Sequence, residues 1–220
     1  IAHNAAITSI GNVAANICND TLIEPLITLK NNGTAFLQEV TITYGIVGGA
    51  SNTITWSGNL APLQTANVPL PAIGILNGPQ TLTVETSAPN GLPDGAPADD
   101  SFSFDFVANS PGELVTLSLT PDAFGVDITW ELTNEGGTVL YSGGPYTNGN
   151  TTTIIREFCL GSACYTFTIV DEFGDGICCT EGDGSYTITS AFGTHVESDG
   201  QYGDGEVRDL YIENGRLVAA

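Results

Sequence analysis

The stretch "DEFGDGICC" at 171–179 carries donors for two kinds of chemistry. Asp171 and Asp175, separated by a turn that Gly174 and Gly176 permit, suit a hard cation that takes oxygen ligands. Cys178 and Cys179 suit a covalent cross-link. An EF-hand loop begun at Asp171 finds Asp175 in the fifth place and Gly176 in the sixth, as it should. It also finds Phe173 in the third place and Gly182 in the twelfth, where oxygen ligands are required. Strand-like runs rather than helices flank it, so it is not an EF-hand. A different cage can be drawn. Asp171 ends a strand, Asp175 points back beside it, Glu181 and Asp183 follow, and Asp122 and Asp127 flank an earlier turn. Carboxylates gathered in this way repel one another, and a cation removes that penalty. The cation expected is calcium rather than zinc, because histidine is scarce and the cysteines are committed elsewhere. The other reading is that these aspartates cap turns by accepting backbone N–H groups. Both readings stay open on the sequence.

Two further acidic turns share this character. "YGDG" at 202–205 repeats "FGDG" at 173–176 and lies among Asp199, Asp204 and Glu206. "PNGLPDGAPADD" at 89–100 holds Asn90, Asp94, Asp99 and Asp100, and reads first as a solvated loop between strands, with calcium as the second reading.

Four of the five cysteines, Cys159, Cys164, Cys178 and Cys179, lie where strand ends should meet. A bond between adjacent cysteines is constrained, so Cys178 and Cys179 are expected to pair with Cys159 and Cys164, in either connectivity. Cys18 is left over and is expected to be a buried free thiol, with a link to another chain as the alternative. Disulfides imply an oxidising, extracellular setting.

Catalytic chemistry finds little support. The histidines are His3 and His195 alone, and neither an HExxH motif nor a GxSxG elbow is present. The glycines sit in acidic turns that would repel phosphate. No enzyme is expected. Tyr141, Tyr146, Tyr202 and Trp56 are candidates for a sugar platform, whereas Trp130 is expected in the core. Asn19, Asn32 and Asn150 stand in N-x-[ST] sequons.

The elements that must position these groups are strands. Within "LITLKNNG" and "VTITYGI" apolar residues recur at every second position, the period of a half-buried strand. From Ile1 to about Asn109 such runs predict a seven-stranded antiparallel sandwich. "ANSPGE" at 108–113 is a short breaker-rich join. Beyond it come "LVTLSLT", "GVDITWELT", "GTVLYSG", "TTTIIREFCL", "CYTFTIVD", "GSYTITSAF" and "GEVRDLYIEN", again strand-like and without an amphipathic helix. Two all-β domains in tandem are expected, residues 1–109 and 110–220. With 25 acidic residues against Lys30, Arg156, Arg208 and Arg216, the net charge of −21 repels nucleic acid and anionic membrane, and suits divalent cations or cationic partners. No apolar run approaches the roughly 20 residues that a membrane-spanning helix needs. The chain lacks methionine and a signal sequence, and is read as a mature product or a piece of a longer one.

Two resemblances follow from particular stretches. "NAAITSI" at 4–10, "ICNDTLIEPLITLKNNGT" at 17–34, "TWSGNLAPLQTANVPLP" at 55–71 and "TLTVETSAPNGLPDGAPADDSFSFDF" at 81–106 resemble the cell-adhesion-related (CARDB) domain of bacteria, an Ig-like sandwich. "DITWEL" at 127–132, "CYTFTIVDEFGDGICC" at 164–179 and "GDGSY" at 182–186 resemble a jelly-roll or CUB-like accessory module of secreted Bacteroidetes proteins. The resemblances imply a non-catalytic role at the cell surface. The expectation is therefore an extracellular structural or adhesion protein from an adhesin, fibre or filament, rigidified by calcium and disulfides. Its partners would be copies of itself or neighbouring surface proteins, through an edge strand such as "AAITSI". The alternative is a polysaccharide- or substrate-binding accessory of a secreted protease or glycoside hydrolase.

Overall fold

The computed structural model describes residues 1–218 and divides into two compact units, Ile1–Ala108 and Asn109–Ala220. Each is built from strands, with three short 3-10 turns as the only helical pieces among the described residues.

In the first unit, β1 (Ala5–Gly11), β4 (Leu26–Asn31) and β7 (Thr65–Pro69) form a three-stranded antiparallel sheet in the order β1-β4-β7. A second sheet has the order β2-β10-β9-β5-β6, from β2 (Asn16–Cys18), β10 (Ser101–Asn109), β9 (Gly78–Ser87), β5 (Leu37–Ile46) and β6 (Ser51–Leu60). Two-residue strands β3 (Leu22–Ile23) and β8 (Ile73–Gly74) pair beside them. The seven longer strands match the alternating runs of the sequence. The other three, β2, β3 and β8, are two or three residues long, too short to show a period. Ile27 and Leu29 of β4 meet Val40, Ile42 and Tyr44 of β5 and Leu82 and Val84 of β9 in one buried cluster. Each residue comes from the inward set of its strand.

The second unit is a sandwich of two antiparallel sheets. One has the order β14-β11-β16-β17, from β11 (Gly112–Thr120), β14 (Ile154–Gly161), β16 (Ser185–Ser190) and β17 (Gly193–Ser198). The other has the order β13-β12-β15-β18-β19, from β12 (Ile128–Asn134), β13 (Val139–Gly143), β15 (Cys164–Asp171), β18 (Gly205–Glu213) and β19 (Arg216–Val218). Val115, Leu117 and Leu119 of β11 face Ile128, Trp130 and Leu132 of β12 and Phe167 and Ile169 of β15. The Trp130 ring stacks at 6.0 Å from Phe167 and meets Phe158 edge-on at 5.7 Å, so it is a core residue as expected. Its indole N–H donates to the Tyr146 hydroxyl at 2.6 Å. No helix among the described residues is long and apolar enough to cross a membrane.

Candidate functional site

Alternation decides where the acids of the second unit go. In β15 the buried positions are Tyr165, Phe167, Ile169 and Asp171. Asp171 therefore takes the core-side position at the strand's end, across the ladder from Ile128. It is 3% exposed, and its Oδ1 accepts the Gly174 N–H at 2.7 Å and that of Asp175 at 3.4 Å. Asp122, in the β11–β12 connection, is 4% exposed, and its Oδ1 accepts the Phe124 N–H at 2.9 Å. Burial raises the Asp122 carboxyl above its ordinary range; the Phe124 bond opposes this, and the charges of Asp171, Asp175 and Asp127 add to it. The Tyr202 hydroxyl is buried without a partner, and desolvation together with the charges of Asp171 and Asp122 pushes it well above the usual phenol range.

The loop that follows β15 is threaded between two neighbours. Its backbone bonds reach the β11–β12 connection (Glu172 N to Asp127 O at 2.9 Å, Ala123 N to Glu181 O at 3.2 Å). They also reach the 199–204 turn (Asp171 N to Asp204 O and Ile177 N to Gly200 O, each at 3.0 Å). Gly176 needs its glycine, because it has φ of 77° and a Cβ there would strike the Gly200 carbonyl oxygen. Glu181 and Asp183 are exposed, and Asp183 bridges to Cys178 rather than joining the aspartates. Asp171 and Asp122 therefore cap turns as buried carboxylates, and among the described residues no three carboxylates at this end of the unit bring oxygens within 4.8 Å of one another.

The echo of this turn is engaged otherwise. Glu206 accepts the Tyr186 hydroxyl at 2.6 Å and pairs with Arg208, the one ion pair found among the described residues. Asp199 Oδ1 caps its own turn through the Gln201 N–H.

The cysteines depart from expectation. Cys178 and Cys179 are bonded to each other, so the adjacent pair is not divided between Cys159 and Cys164. Cys164, at the start of β15, is an exposed free thiol. Cys159 is buried and disulfide-bonded. Cys18 is also disulfide-bonded, not the free thiol expected of it. Sequence spacing constrained the adjacent pair only through a general rule about strain, which does not specify partners.

The proposed sugar platform is also dispersed. Tyr141, Tyr146 and Tyr202 pack half-buried against the second core and Trp56 half-buried against the first. His195 Nε2 lies 2.8 Å from Ser190 Oγ across the β16–β17 hairpin. That oxygen also accepts the Phe192 N–H at 3.2 Å. Two grooves of the first unit are lined by turn and apolar residues such as Ile46, Val47, Ile73, Leu76 and Pro79.

The tightest all-carboxylate group lies in the first unit, in the β9–β10 connection. Carboxylate oxygens of Asp94, Asp99 and Asp100 lie within 4.8 Å of one another. Asp94 is held from both sides, its Oδ2 accepting Ala5 N–H at 2.9 Å and its Oδ1 accepting Ala96 N–H at 2.7 Å. Asp99 Oδ2 accepts the side-chain amides of Asn32 at 2.8 Å and Asn4 at 3.3 Å. Burial first, then the charges of Asp94 and Asp99 and a carboxyl contact with Asp94, push the Asp100 carboxyl up to about 6. This convergence was missed as a first reading, since Asn4 and Asp99 are 95 residues apart and nothing local marks their meeting.

No family model and no curated protein matches the chain. Among solved structures, the CARDB domain of the PF1109 protein from Pyrococcus furiosus, solved in complex with di-metal ions, is similar over 48% of this chain and 88% of that one. The TM-score is 0.40 and the identity 14%. The solution structure of the same domain gives a TM-score of 0.39 at 15% identity, over 48% of this chain and 96% of that one.

Proposed function

We propose that the chain is a non-catalytic, extracellular structural protein, a pair of tandem sandwich modules from a surface adhesin, fibre or filament, made rigid by calcium and disulfides. The observation that carries this reading is the burial of both Asp122 and Asp171 at one end of the second sandwich, with the charges of Asp171, Asp175 and Asp127 acting on Asp122 and the Tyr202 hydroxyl buried without a partner. Buried like charges are costly, and a cation offsets that cost by ligating them. Asp171, Asp122, Asp175 and Asp127 are the ligands expected, and calcium suits an all-oxygen set drawn from flexible turns. Glu181 and Asp183 are exposed and lie outside this set. The disulfides fit the oxidising setting of a secreted chain. The edge strand β1 offers an unpaired side to a neighbouring copy or surface protein.

Electron microscopy of the purified chain in calcium tests the proposal. Regular fibres are the expected result. Dispersed monomers that retain a polysaccharide would overturn it in favour of an accessory region of a secreted hydrolase.

A further inference from the structure

We propose that Asn4, Asp94, Asp99 and Asp100 form a calcium site in the first unit, one that clasps the start of β1 to the β9–β10 connection. The acids alone would not establish it. The second observation is a set of buried oxygens with nothing to accept. Asp100 is 7% exposed, and its Oδ1 has no hydrogen-bond partner. Asn4, from a different segment, is 6% exposed, and its Oδ1 is equally unpartnered while its amide N–H holds Asp99. Asp99 Oδ1 is the third. Buried polar atoms are nearly always satisfied, so three orphans on residues that already meet, Asn4 bonding Asp99 and Asp99 lying against Asp100, call for a ligand.

The shape fits a calcium ion. Two oxygens bound at about 2.4 Å to one ion lie no more than about 4.8 Å apart, and the three carboxylates meet that limit. The donors are all oxygen, which disfavours zinc. Arg208–Glu206 is the one ion pair found among the described residues, so no basic side chain does the ion's work here. A proton shared between Asp94 and Asp100 would relieve their repulsion. It would leave Asp99 Oδ1 and Asn4 Oδ1 still unsatisfied, and a cation serves all of them. Calcium is favoured over magnesium because the ligands hang from an irregular loop, whereas magnesium demands near-octahedral geometry and keeps its waters.

The surrounding bonds show what the ion would secure. Gly95 N–H donates to the His3 carbonyl at 3.0 Å, and the Asn4 carbonyl accepts the Asn32 and Gly33 N–H groups, each at 3.0 Å. Thr86 Oγ1 donates to the Ala5 carbonyl at 2.8 Å. Three segments distant in sequence therefore close on the ion: the entry to β1, the β4–β5 turn and the β9–β10 connection. This site is separate from that of the second unit and does not depend on it.

Hydrogen exchange of the whole chain, read by mass spectrometry in calcium and in chelator, tests the site. With calcium at about 100 times its dissociation constant, opening of segments 1–5 and 89–100 should slow about a hundredfold. Asp100→Asn should abolish that slowing while β5 and β9 stay protected, and Asp99→Asn serves as the second variant should the first fail to fold. Identical exchange in calcium and chelator would overturn the proposal. So would slowing that survives in both variants, or slowing produced equally by magnesium or by acid alone. Protection confined to 172–184 would remove this site and leave the second-unit reading standing; protection confined to 1–5 and 89–100 would do the reverse.

Discussion

Asp100 is a carboxylate with the wrong neighbours for its charge, and its titration should show it. Its folded value, about 6, lies above the ordinary 3.8, so between these values the folded chain binds more protons than the unfolded one. Stability then falls as pH rises through that window and is recovered as pH drops below it. In chelator, the urea midpoint of the wild type relative to Asp100→Asn should therefore shift in the wild type's favour between about pH 7 and about pH 5. A constant difference would show that Asp100 is not held above its ordinary range. Cys164 gives a second residue-level test. As the exposed free thiol of the described chain, it should take one equivalent of a maleimide in the native state, and Cys164→Ser should take none. The sequence marked Asp171, Asp175, Cys178 and Cys179 as one stretch of candidate ligands and cross-links. It did not show that Asp183 sits with the cysteines or that Cys178 bonds Cys179, because both facts depend on how the loop closes.

At the scale of elements, period-2 patterning is what made the strands legible, and it also explains the sites. The same alternation that puts Phe167 and Ile169 in the core delivers Asp171 to the core side at the end of β15. Phe167 is fully buried and touches the Trp130 and Tyr186 rings, so Phe167→Ala should cost about 3–5 kcal/mol of stability by urea denaturation. Tyr146→Phe removes the acceptor for the buried Trp130 N–H and should cost about 1 kcal/mol. What the pattern could not reveal were the short strands β2, β3, β8 and β19, which lack the length for a period, and β17, whose run "GTHVES" has Val196 as its one apolar residue. Aromatic positions were also ambiguous. Tyr141 lies on the strand-like run of β13 and Tyr202 in an acidic turn, and only their tertiary packing against Phe158 and Tyr186 half-buries them.

For the whole molecule, a net charge of −21 on 220 residues sets the conditions under which both units must stay folded. Self-repulsion of that size is relieved by salt, and far more locally by a divalent ion held between carboxylates. Calcium bound only by the folded chain would be part of the structure. Thermal unfolding in calcium and in chelator, at constant ionic strength, tests it most directly. Calcium at about 100 times its dissociation constant should add about 2.7 kcal/mol and raise the midpoint by about 5 °C or more. Asp171→Asn should lose the part of that rise that belongs to the second unit. A midpoint that is the same in calcium and in chelator would contradict the claim.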